Sequence, residues 1–300
     1  MADVASREPH PTAAGDNGAL GDAGLLVSYA QHGEDIVLWR AFRHQTGGTY
    51  VDVGAFHPTH DSVTRLFYER GWRGINIDAN PDSIEAFQRE RPDDINLCLA
   101  ASDGDGEIEF FVCDNPGWST TNPQVAAGLS ARGQIQQRRV VPARRLSSVL
   151  DEAGTRSIDF LKIDTEGAEA AVLRGLDLNR HRPRVIVVEA VAPVISNAGQ
   201  ADVNSILQHN GYLHAGFDGL NDYFASDNAL LAALHSPANP TDEYVRNDVL
   251  ALRQEIATLK AQQIYYIDRE PEIRALERWA HDLEAELNRG RRRRSRPTAT

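Results

Sequence analysis

Cysteine is scarce in this chain of 300 residues: Cys98 and Cys113 are the only two, and neither belongs to a CxxC-like pair. That excludes a disulfide framework and a cysteine-ligated zinc site, and it suits a reducing compartment. Long apolar runs are missing as well. Residues 1–24 hold Asp, Pro, Gly and Ala with no apolar core behind a basic start, so they read as a disordered leader of a cytoplasmic protein, neither signal peptide nor membrane span. A basic excess is lacking, the formal net charge being −12. This argues against a specific nucleic-acid partner, because phosphate binding calls for a positive surface. The dinucleotide fingerprint GxGxxG is also absent, since Phe56, His57 and Pro58 stand where a pyrophosphate would need glycines. NAD, FAD and an oxidoreductase reading are disfavoured accordingly.

What is present is a regular alternation. Short β-branched runs at Thr49–Val53, Arg73–Ile77, Ile95–Ala100, Asp159–Ile163 and Val185–Val188 are separated by helical stretches at Pro81–Glu90, Leu146–Glu152 and Ala168–Leu173, with further helices at Glu34–His44 and Ser62–Glu69. Asn80 and Pro81 read as N-cap and first helical residue. Runs that are apolar throughout belong to a parallel sheet covered on both faces. A terminal hairpin, Gly211–Phe217 and Tyr223–Ser226 around Asp218-Gly219, brings the count to seven strands. The expected fold is therefore α/β, a doubly wound and mostly parallel sheet over residues 25–235.

Beyond Pro240 the pattern changes to a heptad seam, Val245, Val249, Leu252, Ile256, Leu259, Gln263 and Tyr266, which restarts after Pro271 with Ile273, Leu276, Ala280, Leu283 and Leu287. Residues 241–289 read as a helical coiled-coil extension, either a homodimer seam over 245–287 or a hairpin packed on the domain. Residues 290–300 close the chain as a basic disordered tail. With Arg289 and Arg296 this run carries six arginines, enough for peripheral attraction to an anionic membrane but not for anchoring.

In an open α/β sheet the ligand lies outside the carboxyl ends of the strands, where their order reverses. Gly54, after the first strand, would let a ligand approach the backbone. Asp78, at the end of the second, can accept from both hydroxyls of a ribose, which fits a nucleoside cofactor without phosphates. Asp103 can accept from an exocyclic amine of the base or serve the turn with Gly104. The string Phe160-Leu161-Lys162-Ile163-Asp164-Thr165-Glu166-Gly167-Ala168-Glu169 places Asp164 and Glu166 at the same edge, joined by Glu189 after the fifth strand. Such acids repel one another unless a cation or substrate hydroxyls compensate; helix capping would account for Glu166 and Glu169.

Four blocks, Ser28-Tyr29-Ala30-Gln31-His32-Gly33-Glu34-Asp35, Val51-Asp52-Val53-Gly54-Ala55, Asp61 through Gly74 and Lys162 through Glu169, together resemble the FkbM-type S-adenosylmethionine-dependent methyltransferases over Ser28 to Glu189. The resemblance implies a Rossmann-like methyltransferase fold and O-methylation of a hydroxyl on a sugar, glycolipid or secondary-metabolite glycan. It implies cofactor-binding roles for Gln31, Glu34, Asp52, Gly54, Asp78, Asp103 and Asp164, with Gly54 towards the methionine part, Asp78 the ribose and Asp103 the adenine. For the reaction, Asp164 or His57 is the expected general base, and Asp164, Glu166 and Glu189 are an expected Mg²⁺ ligand set. Acceptor recognition is expected in the loop Asn115–Gln137, with Trp118, Ser119 and Thr120. A non-catalytic coiled-coil scaffold on a degenerate cofactor domain is the alternative.

Overall fold

The computed structural model describes residues 25–190, 198–261 and 266–294. The leader over 1–24 and the last arginine, Arg296, lie outside them. Along the chain the elements are β1 (Leu26–Ser28), α1 (Glu34–Phe42), β2 (Thr49–Val53), α2 (Arg65–Glu69), β3 (Arg73–Asp78), α3 (Pro81–Glu90), β4 (Ile95–Cys98), β5 (Ala100–Ser102), β6 (Gly106–Cys113), α4 (Pro123–Ala131), β7 (Ile135–Arg145), α5 (Leu146–Glu152), β8 (Phe160–Ile163), α6 (Glu169–Arg174), β9 (Val185–Glu189), α7 (Ala198–His209), β10 (Leu213–Phe217), β11 (Asn221–Ala225), α8 (Asn228–Leu234), β12 (Tyr244–Arg246), α9 (Asn247–Ala261) and α10 (Tyr266–Arg294).

The strands rich in β-branched residues form the middle of a seven-stranded sheet of order β10-β11-β9-β8-β2-β3-β4. From β4 to β9 every pairing is parallel, and β11 runs antiparallel to both of its neighbours, so the sheet is mixed. Alternation along each strand sorts the core into two layers. Val51, Val53, Leu161, Ile163, Ile186 and Val188 face the layer supplied by α5, α6 and α7. Tyr50, Phe160, Val185 and Val187 face the other, supplied by α1, α2, α8 and Trp72. Asn80 caps α3 as expected, its side chain accepting from the Asp82 amide. Strand order reverses at β2, which lies between β3 and β8, and that reversal opens a crevice beyond their carboxyl ends.

Several expectations are corrected. The run Ile95–Ala100 is not one strand: β4 stays in the main sheet, while β5 turns away into a separate three-stranded sheet of order β5-β7-β6. The segment Asn115–Gln137 is not a loop, for it contains a 3-10 turn at Pro116–Trp118, α4 and the start of β7. Polar Gln136 to Arg139 and Pro142 hide β7 from a hydrophobic pattern, and Pro142 falls just before β7 gains its second partner at Ala143.

The C-terminal seam also differs. Val245 belongs to β12, which pairs in parallel with β1, and Val27, Val245 and Val249 share an apolar cluster with Leu250 and Leu283. Helices α9 and α10 thus pack on each other with their base docked on the domain, the hairpin arrangement. Pro271 lies inside α10 and does not end a helix as expected; residues 262–265 lie outside the described residues. Because α10 runs to Arg294, the arginine run begins as helix and not as an irregular tail. Among the described residues no helix is long and apolar enough to cross a membrane.

Candidate active site

The crevice is a cavity of about 320 Å³. Gln31, Glu34, Gly54, Asp78, Asp164, Glu166 and Glu189 all line it, joined by Lys162, Phe56 and Trp118. The cause is positional. Asp78 and Glu189 are the last residues of β3 and β9, and Gly54 and Asp164 directly follow β2 and β8, so each emerges at the open end of the sheet.

Gly54 has a φ of 76°, and a Cβ built on it would stand 1.6 Å from the Asp164 carbonyl oxygen. The glycine is required by the neighbouring chain leaving β8, a different reason from ligand approach. Half-buried Asp78 accepts from the Phe56 amide at 2.8 Å and the Asn80 amide at 2.7 Å. Burial pushes its carboxyl up to about 6 although both amides pull the other way. Buried Glu34, at the start of α1, accepts from the His32 amide and from Asn221 Nδ2, each at 2.8 Å, which ties α1 to the β10–β11 hairpin.

Asp164, Glu166 and Glu189 bring carboxylate oxygens within 4.8 Å of one another. Glu166 sits in the left-handed region with a φ of 54°. It is 6% exposed, and its Oε2 is buried without a hydrogen-bond partner. Helix capping explains Glu169, whose Oε1 gathers the Thr165 amide, the Thr165 hydroxyl and the Gly167 amide; it does not explain Glu166. Burial, then the charges of Asp164 and Glu169, push Glu166 up to about 9. Burial, then Asp164 and Glu166, push Glu189 up to about 11. The two carboxyls titrate together, and burial beside Asp164 favours keeping protons in the cluster when no cation is bound.

Lys162 was not singled out from the sequence. Its Nζ lies 3.0 Å from Asp164 Oδ2 and 3.9 Å from Asp52 Oδ1. Burial alone would lower the ammonium's pKa, but Asp164 and Asp52 outweigh it and hold the group above its ordinary value. The available signal was a lysine inside an otherwise apolar strand. Thr120 and Asn122 were likewise missed as scaffolding: Thr120 Oγ1 donates to the Glu166 carbonyl at 2.8 Å and Asn122 Nδ2 to the Gly167 carbonyl at 2.6 Å. Of the expected acceptor residues, Trp118 and Ser119 line the cavity, and Thr121 does so in place of Thr120.

Three expected site residues are elsewhere. Asp52 is buried beneath the cleft, accepting from Thr64 Oγ1 at 3.0 Å, because it lies within β2 and not at its end. His57 is turned into its own loop, where Nδ1 accepts from the Thr59 and His60 amides, both at 3.0 Å. Those bonds occupy the lone pair a base would need, and the ring does not line the cavity. Asp103 is exposed and paired with Arg174 at 3.4 Å, and the apolar stretch Leu99 to Ala101 lines the cavity instead.

Among solved structures, a precorrin-6y C5,15-methyltransferase from Geobacter metallireducens GS-15 is similar at 12% identity and a TM-score of 0.34, covering 70% of this chain and 98% of that one. That likeness is too slight to bear on function. No match was found among curated proteins. The family model for the methyltransferase FkbM domain matches residues 52–213, the span that carries Gly54, Asp78, Lys162, Asp164, Glu166 and Glu189. With more than half of its length inside that match, the chain belongs to the FkbM methyltransferase domain family.

Proposed function

We propose that this protein is an S-adenosylmethionine-dependent O-methyltransferase whose acceptor is a hydroxyl on a sugar, glycolipid or secondary-metabolite glycan. One observation carries the reading: Asp78 and the cluster Asp164, Glu166 and Glu189 line one cavity at the point where strand order reverses. Asp78 suits the ribose hydroxyls of the methyl donor, and Gln31, Glu34 and Gly54 line the same cavity. Methyl transfer to oxygen is an in-line displacement: the carbon–oxygen bond forms as the carbon–sulfur bond breaks, and the hydroxyl proton must leave. Asp164, kept beside Lys162, is the carboxylate placed to receive that proton. Fixing the acceptor against it supplies the alignment that the displacement needs.

The donor set also fits a hard divalent cation, since three carboxylates converge and Glu166 Oε2 has no partner. Asp164, Glu166 and Glu189 would hold Mg²⁺, which when bound lowers the pKa of an acceptor hydroxyl. Self-association along 245–287 and attraction of the arginine run to an anionic surface are the partner contacts that accompany this reading. Light scattering of the full chain against a form ending at Arg246 tests the first. The decisive test of function is transfer of labelled methyl from S-adenosylmethionine to glycan and glycolipid fractions. Incorporation supports the enzyme, whereas absence from every fraction returns the chain to the scaffold reading.

A further inference from the structure

Beneath the cleft runs a row of polar side chains that the chemistry above leaves unused. In register across four adjacent strands stand Asn96, Asn76, Asp52 and Lys162, on β4, β3, β2 and β8. Asn76 Nδ2 donates to Asn96 Oδ1 at 2.8 Å and to Asp94 Oδ2 at 3.0 Å. Fully buried Arg91 pairs with Asp94 at 3.0 Å and donates to Thr64 Oγ1 at 2.9 Å, and the Thr64 hydroxyl donates in turn to Asp52 Oδ2 at 3.0 Å. The row ends at Lys162, whose ammonium faces Asp52 Oδ1 at 3.9 Å, the Gly54 carbonyl at 3.4 Å and Asp164 at 3.0 Å. Asp52 Oδ1 is buried and has no hydrogen-bond partner, so the ammonium supplies the charge that compensates it.

Such an arrangement is expensive. Burying ions costs several kcal/mol each, and apolar replacements of buried ion pairs are often neutral or stabilising. Stability alone gives no reason to put a lysine two residues before Asp164 in a strand that otherwise reads Phe160, Leu161 and Ile163. Position gives one, because Lys162 is the link between the rigid row and the carboxylate at the cleft.

We propose that Lys162 is a positioning residue for methyl transfer: backed by Asp52, it holds the Asp164 carboxylate in the orientation that meets the acceptor hydroxyl. This rests on the function proposed above. The full-length protein and its Lys162→Met, Asp52→Asn and doubly substituted forms are compared in methyl transfer and, separately, by NMR of protein labelled with ¹⁵N-lysine. With only two lysines in the chain, Lys260→Arg assigns the Lys162 ammonium signal. In transfer, kcat falls roughly tenfold to a hundredfold in each single variant while the KM for S-adenosylmethionine stays put, and the double variant is no worse than Lys162→Met. In NMR, the Lys162 signal moves in Asp52→Asn and in Asp164→Asn.

A loss of folded protein alone would also lower the apparent kcat at constant KM, so turnover is counted per folded molecule, with the folded fraction of each variant read by circular dichroism. If the wild-type protein transfers methyl and the single variants keep kcat within about twofold, or if the ammonium signal ignores Asp52→Asn, the positioning role is overturned. A wild-type protein that transfers no methyl overturns the functional reading first, and this inference with it.

Discussion

Replacing Glu166 by Gln should make the protein more stable and less active, and the stability gain should depend on pH. Burial lifts the Glu166 carboxyl from 4.5 to about 9. Between those values the unfolded chain releases the proton and the folded chain retains it. The Glu166 contribution to stability is therefore fully present below pH 4.5, declines as pH rises, and levels off above the folded value. Each unit corresponds to about 1.4 kcal/mol, so at pH 7 the deficit is roughly 3 kcal/mol before water in the cleft screens it, and on the order of 1–3 kcal/mol after. Glutamine keeps the shape, has no charge to desolvate and offers an amide donor to the two neighbouring acids. For a domain of this size 1 kcal/mol moves the melting temperature by about 2–4 °C. Calorimetry with chelator present, at pH 5, 7 and 8, should show the Gln variant nearly level with wild type at pH 5 and several degrees above it at pH 8. A gain independent of pH, or a variant melting below wild type at pH 8, would refute the burial argument.

The remaining expectations are simpler. Asp78→Asn should weaken S-adenosylmethionine binding by about 1.5–3 kcal/mol in titration calorimetry, the worth of a hydrogen bond to a charged group; unchanged affinity would remove Asp78 from the ribose. Gly54→Ala places a Cβ 1.6 Å from the Asp164 carbonyl at a φ of 76°, so denaturant unfolding should show a loss above about 3 kcal/mol. Wild-type stability in that variant would mean that β8 leaves the sheet by another path. Exhaustive chelation followed by Mg²⁺ should abolish and then restore turnover, and turnover indifferent to chelation would sink the carboxylate cation site.

Much of the fold was legible because its driving force is local. Thr49–Val53 and Pro81–Glu90 coincide with β2 and α3, since an apolar run and an Asn-Pro start leave little choice of structure. β7 was not legible: within its eleven residues Val141 and Ala143 are the buried apolar ones, and its strand state comes from β5 and β6 on either side. The site divides along another line. Gly54, Asp78, Asp164 and Glu189, at or just past a strand end, line the cavity, and the end of an apolar run is visible in sequence. Asp52 shares the face of Gly54, two residues on in a strand of period two, but it lies one level deeper in the sheet, buried beneath the cleft with Thr64.

Asp52, Asn76 and Lys162 each stand between apolar neighbours, Val51 and Val53, Ile75 and Ile77, Leu161 and Ile163. A single buried polar residue costs stability and would be an error in each strand considered alone. Three strands carry it at one level, adjacent in the sheet, and the three residues are connected: Asn76 reaches Asp52 through Arg91 and Thr64, and Asp52 faces Lys162. Local rules broken in register mark a site more strongly than any one acid at the rim. Here the row leads to Lys162 and, through it, to Asp164.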